Sequence, residues 1–137
     1  MKFVFFSITE HPWGREMLYQ LIDSGFIPSL VIEENSEGGK TEREKFEFRL
    51  GSNPLAPTMK SQIEKYDIPF VQVPVHNDEY CMEHLEKVNP DLIVFGGTRI
   101  IRGEILEFGG KRGGVLNSHP GLLPECRGSA SPAWSVH

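Results

Sequence analysis

The opening thirty residues constrain the fold more than any other part of the chain. Phe3-Val4-Phe5-Phe6-Ser7-Ile8 is a nearly unbroken apolar run, the pattern of a strand covered on both faces. Thr9-Glu10-His11-Pro12 then reads as a helix start, with Thr9 or His11 at the cap and Pro12 in the first turn. Trp13, Met17, Leu18, Leu21 and Ile22 recur at helical spacing as one apolar stripe. Asp23-Ser24-Gly25 closes that helix, with Gly25 suited to the left-handed cap position. Phe26 to Ile32 reads as a second strand. A strand–helix–strand unit of about thirty residues joins two parallel strands, because a tight hairpin cannot.

The same alternation continues. Glu33 to Lys40 is polar with two glycines and reads as a surface loop. Thr41 to Leu50 is charged, with Phe46, Phe48 and Leu50 inside it, and suits a helix lying on the surface. Met59, Ile63 and Tyr66 suggest a short helix after a second loop. Phe70 to Val75 reads as a third strand, and Pro74 predicts an edge position. Asn77 or Asp78 can cap a helix whose stripe is Tyr80, Cys81, Leu85 and Val88, ended by Asn89-Pro90. Asp91 to Phe95 is a fourth strand, stopping at Gly96-Gly97, where the backbone can turn sharply or approach a ligand. A short helix through Ile105 and Leu106, a loop from Gly109 to Gly114 and a strand from Val115 to Asn117 follow. Ser129 or Ser131 with Pro132 reads as another helix start, and Trp134 as its first buried residue. Strands alternating with helices predict an α/β fold: a Rossmann-like open, mostly parallel sheet with helices on both faces.

Composition narrows the function classes. With 14 basic and 19 acidic residues the net charge is -5, which argues against broad, sequence-independent nucleic-acid binding. No apolar run approaches the roughly 20 residues of a membrane span. Cys81 and Cys126 form no CxxC pair, which suits a reduced, cytoplasmic setting. The loop after the first strand lacks GxGxxG, and no GxxxxGK[ST] occurs, so nucleotide cofactors lack their usual signature. His11, His76, His84, His119 and His137 show no HxH or HExxH spacing, so no metal is expected.

The chemistry lies near the end. Residues i and i+2 of a strand share a face, so a strand persisting to His119 sets Asn117 and His119 side by side. They would stand at its carboxyl end, the edge at which open α/β sheets bind ligands. An amide donates without titrating, and an imidazole can also move a proton near neutral pH. Two donors aimed at one point suit the oxyanion formed when a nucleophile attacks a carbonyl. The pair therefore fits acyl transfer or hydrolysis; alone, it also fits a turn cap and a structural histidine before proline.

Asn117-Ser118-His119-Pro120-Gly121-Leu122-Leu123-Pro124, with Arg127-Gly128 close behind, resembles the signature loop of the formyltetrahydrofolate-dependent formyltransferases. Pro90 to Ile101 is similar to a second segment of that family. The resemblance spans Pro90 to Trp134; residues 1–89 agree at the level of fold. It implies transfer of a formyl group from 10-formyltetrahydrofolate to an amine, with Asn117 and His119 catalytic. It implies donor contacts from Arg99, Ile100 and Ile101, with Thr98 at the entrance. Ser7, Thr9, Pro120 and Arg127 would face the acceptor. The family's site is completed by an Asp some tens of residues further on, whereas here only Glu125 follows His119. That departure predicts one catalytic domain over 1–137 that lacks its carboxyl-terminal part and is a poor catalyst alone. A formyltetrahydrofolate hydrolase and a non-catalytic folate- or nucleotide-binding module are the alternatives. For the acceptor, the acidic balance favours a small amine-bearing metabolite, such as an amino sugar nucleotide, over tRNA; a homodimer is left open and no membrane partner is expected.

Overall fold

The computed structural model describes residues 1–127. Its elements, in chain order, are β1 (Phe3–Ile8), α1 (Pro12–Asp23), β2 (Leu30–Glu34), α2 (Glu37–Leu50), α3 (Met59–Lys65), β3 (Phe70–Val73), α4 (Glu79–Val88), β4 (Leu92–Phe95), α5 (Glu104–Gly110) and β5 (Val115–Asn117). The strands form one five-stranded sheet in the order β3-β2-β1-β4-β5. Every pairing is parallel, as the alternation of strand and helix predicts.

β1 is the central strand and is buried at all six positions. Its alternation divides the core. Phe3 and Phe5 pack with Leu18 and Ile22 of α1, Met59 of α3 and Val31 and Val94 of the neighbouring strands. Val4 and Phe6 pack on the opposite face with Cys81 and Leu85 of α4 and Ile105 and Phe108 of α5. Each large apolar side chain buried this way contributes about 1.5–3 kcal/mol, so the phenylalanine-rich first strand drives the assembly of both layers.

Local capping sets the helix starts. His11 has extended backbone, its Nδ1 accepts from the Trp13 amide at 3.2 Å, and Pro12 follows at the first helical position. The Ser36 hydroxyl accepts from the Gly39 amide at 2.9 Å. Both carboxylate oxygens of Glu10 accept from the Met59 and Lys60 amides at 2.9 Å, tying the end of β1 to the start of α3.

Several boundaries differ from the sequence reading. β2 begins at Leu30 rather than Phe26, because Gly25 at φ +86 and the Phe26 amide bonded to Leu21 O still belong to the end of α1. It runs on to Glu34, so Glu33 and Glu34 are buried strand residues and not the start of a loop. Burial pushes the Glu33 carboxyl up. α2 starts at Glu37 instead of Thr41, because Ser36 provides a cap and Gly38-Gly39 are inside the helix. Tyr80 is exposed; the buried positions of α4 are Cys81 and Leu85, one turn apart. α5 runs on to Gly110, so the loop expected from Gly109 begins after it. β3 ends before Pro74 and lies at the sheet edge, as predicted. Ser129, Ser131, Pro132 and Trp134 lie outside the described residues. Among the described residues no helix is long and apolar enough to cross a membrane.

Candidate active site

The carboxyl edge of the sheet gathers the ends of all five strands. Ile8 lies opposite Glu34, and Glu34 opposite Val73. Asn117 lies opposite Phe95, and Phe95 opposite Phe6. Glu34 and Asn117 are thus three strand spacings apart, on the order of 14 Å across the sheet.

Close packing prepares this edge. A Cβ on Gly14, in the first turn of α1, would collide with the Ser7 hydroxyl and the Gly96 carbonyl. Gly97 turns at φ +80, and a Cβ there would come within 2.5 Å of His11 Nδ1. The Ile8 amide donates to Gly97 O at 2.9 Å, locking the end of β4 onto β1. Burial, with Arg43 nearby, lowers His11 to about 4. Its imidazole is therefore neutral near pH 7 and keeps the Nδ1 lone pair that the α1 cap requires.

At the β2 corner stands a buried cluster that the sequence reading did not contain. Glu34 accepts from the Ser36 hydroxyl and from Arg99 Nη1 at 3.2 Å on Oε1, and from the His76 amide at 3.0 Å on Oε2. Its side chain is 1% exposed. Burial alone would raise its pKa, but the bonds from Ser36 and the His76 amide, with the His76 ring and Arg99 beside it, hold the carboxyl below its usual value. His76 is wholly buried and stacks on Phe6, ring centres 5.1 Å apart. Its Nε2 donates to Ile32 O at 3.2 Å, and Nδ1 lies 3.3 Å from Glu34 Oε2 without making a hydrogen bond. Burial pushes its pKa down. Charged residues are seldom fully buried unless paired, so nothing in the local sequence marks Glu34. The nearest signal is Ser36, three residues before Gly39, which places a helix start directly after the glutamates.

The predicted donor segment is held from the same side. Arg99 reaches from the β4–α5 loop back across β1 to Glu34. Asn77 bonds the loop twice, Nδ2 to Ile100 O and Oδ1 from the Arg102 amide, each at 2.9 Å. Neither the Arg99 nor the Ile101 peptide group is bonded to another described residue. Ile100 is 69% exposed, Ile101 is buried and Thr98 is half-buried. Unbonded main-chain groups beside an outward isoleucine fit a flat heteroaromatic ring with polar edges.

The other predicted residues are dispersed. Thr9 is half-buried, its hydroxyl donating to Glu34 O at 3.2 Å. Ser7 is wholly buried, with its hydroxyl on Ile8 O at 3.0 Å, so no ligand at the edge can touch it in this packing. β5 stops at Asn117, which is exposed, so His119 lies beyond the strand and strand alternation does not align the two. His119 is half-buried and Nε2 lies 2.8 Å from Cys126 O. A carbonyl only accepts, so Nε2 carries the proton and Nδ1 is the acceptor in the neutral ring. Pro120 and Arg127 are exposed.

No family model matches the chain. Curated relatives do. The methionyl-tRNA formyltransferase of Thermotoga maritima is 36% identical over 139 residues, covering 99% of this chain and 39% of that protein. That of Clostridium botulinum is 35% identical over 138 residues, covering 99% and 40%.

Over nearly its whole length the chain is similar to formyltransferases.

It spans about two-fifths of the length of those curated formyltransferases. Solved formyltransferases share the fold. The phosphoribosylglycinamide formyltransferase of Bacillus halodurans superposes with a TM-score of 0.65 at 16% identity, over 99% of this chain and 64% of that one. That of Anaplasma phagocytophilum gives 0.60 at 21%, over 98% and 57%. The expectation of a small-molecule amine acceptor, with tRNA disfavoured, is overturned, because these sequence relatives are named for methionyl-tRNA. That expectation rested on net charge over a stretch two-fifths as long as those formyltransferases. The charge of one stretch does not report the surface of a longer protein.

Proposed function

We propose that the protein transfers a formyl group from 10-formyltetrahydrofolate to the amino group of methionyl-tRNA, in the cytoplasm. The observation that carries this reading is identity of 30–36% over at least 95% of the chain to proteins named methionyl-tRNA formyltransferases. On this reading residues 1–137 belong to one formyltransferase-like domain. The folate supplies an activated formyl group. Arg99, Ile100 and Ile101 would hold it, with main-chain groups against its polar ring edge and Ile100 against its apolar part, and Thr98 at the entrance. Thr9, Pro120 and Arg127 remain candidates for the acceptor side.

The chain's own residues would act as follows. The acceptor amine attacks the formyl carbon. Charge develops on the formyl oxygen, and the Asn117 amide donates to it. His119 would take part through Nδ1: the neutral ring accepts the proton the amine loses, the resulting imidazolium donates toward the oxyanion, and as the carbonyl re-forms and the formyl carbon–nitrogen bond to the folate breaks it gives that proton to the departing nitrogen. Its Nε2–H bond to Cys126 O orients the ring for this.

The test is formation of formyl-methionyl-tRNA by the longest form of the protein its source makes, supplied with 10-formyltetrahydrofolate. Formylated methionyl-tRNA is the expected product. A well-folded protein that forms none, with donor and charged initiator tRNA present, overturns the reading.

A further inference from the structure

Glu34 does not need its charge to fill its place in the fold. A buried ion pair can often be replaced by apolar side chains of similar volume at no loss of stability. What an apolar residue could not do is gather donors from separate segments. The Ser36 hydroxyl at the start of α2, the His76 amide before α4 and Arg99 Nη1 after β4 all converge on this one carboxylate.

The Arg99 contact is unusual electrostatically. The guanidinium rests against Gly38, in the first turn of α2, where an added Cβ would come within 2.8 Å of Cζ and Nη1. A helix amino terminus carries partial positive charge and repels cations. Arg99 is held there because Glu34 supplies the opposing charge and Gly38 supplies the room. The loop main chain is anchored independently by Asn77, so the guanidinium can be displaced without releasing residues 100–102. With its side chain 46% exposed, Arg99 still presents charge to solvent at the ligand-binding edge.

We propose that Glu34 and Gly38 are positioning residues for Arg99, holding its guanidinium at the amino terminus of α2 in the place from which it meets the folate formyl donor. This rests on the assignment of residues 98–101 to the donor. It makes α2 part of the donor site, although α2 contributes no side chain to it.

Gly38→Ala separates positioning from folding. Alanine is a better helix former than glycine, while its Cβ takes the space of the guanidinium. The measurement is calorimetric titration of 5-formyltetrahydrofolate into the longest form of the protein, as wild type, Arg99→Ala, Gly38→Ala, the double variant and Glu34→Gln. Gly38→Ala is expected to weaken binding roughly tenfold, the scale of one charge-assisted hydrogen bond, with Tm undiminished. Arg99→Ala should weaken binding at least as much. The double variant should be no weaker than Arg99→Ala alone, because both changes remove one interaction. Glu34→Gln, where it folds, should weaken binding in the same direction. Wild-type affinity in Gly38→Ala beside a weakened Arg99→Ala overturns the positioning role and leaves the donor assignment standing, as do additive losses in the double variant. Undiminished binding by Arg99→Ala removes Arg99 from the site and this proposal with it. No binding by folded wild-type protein overturns the formyl-donor reading itself.

Discussion

At the β2 corner of the sheet, a buried carboxylate accepts hydrogen bonds from three separate segments, and a buried imidazole stacks beside it. At the β5 corner, Asn117 is exposed at the end of a three-residue strand, and the His119 ring keeps one bond, to Cys126 O. Both corners carry polar groups at the same edge, and they are built to opposite ends. The carboxylate of the first has its bonds within the chain, so it is costly to remove and holds its neighbours in place. The second leaves hydrogen-bonding capacity toward solvent, as groups that must meet a developing charge require. Buried polarity here marks architecture, and the exposed polarity at the strand end is where the proposed chemistry is placed.

The contrast can be broken most easily at Glu34. Replacing it with Ala leaves the buried His76 amide without its acceptor, and unfolding by urea should show a loss of about 1–3 kcal/mol. A loss below about 1 kcal/mol would mean that the cluster is ornamental. The β5 corner should respond the other way. Asn117→Ala and His119→Ala should each lower kcat/KM for formyl transfer by about a hundred- to a thousandfold, while stability changes by no more than about 0.5 kcal/mol at exposed Asn117 and by about 1 kcal/mol at half-buried His119, which loses its bond to Cys126 O. A large stability loss with little change in rate would exchange the roles of the two corners.

Acid sharpens the same comparison. His11 titrates at about 4 in the folded protein against 6.5 for the free side chain. A lowered histidine leaves the unfolded state binding more protons, so stability is complete above about pH 6.5 and falls as pH drops toward 4, by roughly 3 kcal/mol from this group. His76 is lowered too and adds in the same direction; Glu34, also lowered, adds as pH falls through and below 4.5. Glu33, raised by burial, works the other way as pH falls, so denaturant midpoints measured between pH 7 and 4 should fall by the excess of the two histidines over it. His11→Asn, which keeps an acceptor at the α1 cap, should flatten part of that slope. An unchanged slope in His11→Asn would show that the acid sensitivity lies elsewhere.

Much of this was legible in the residues. Phe3–Ile8, Leu92–Phe95 and Val115–Asn117 announce strands through apolar runs, and Pro74 announces the edge. His11-Pro12 and Asp78 announce helix starts by cap chemistry that needs no distant partner. The signature around Asn117 and His119, with Pro90 to Ile101, led to the formyltransferases, which are also the sequence relatives of the chain. The acceptor was misjudged because the net charge of a partial stretch stood in for a whole surface. Glu33 and Glu34 were misread because a glutamate's default is solvent, and only distant partners reverse it.

Sequence by itself determined what is local: the alternation that makes a parallel α/β sheet, the caps, and the residue types able to stabilise an oxyanion. Those depend on periodicity and on neighbours a few positions away. Tertiary structure alone decided which polar groups are spent on the fold. Glu34 meets His76 and Arg99 across separations of 42 and 65 positions, and Ser7 lies beneath Gly14 and not at the edge. Whether a charge is exposed or satisfied depends on what the fold brings to it, and no local pattern carries that information.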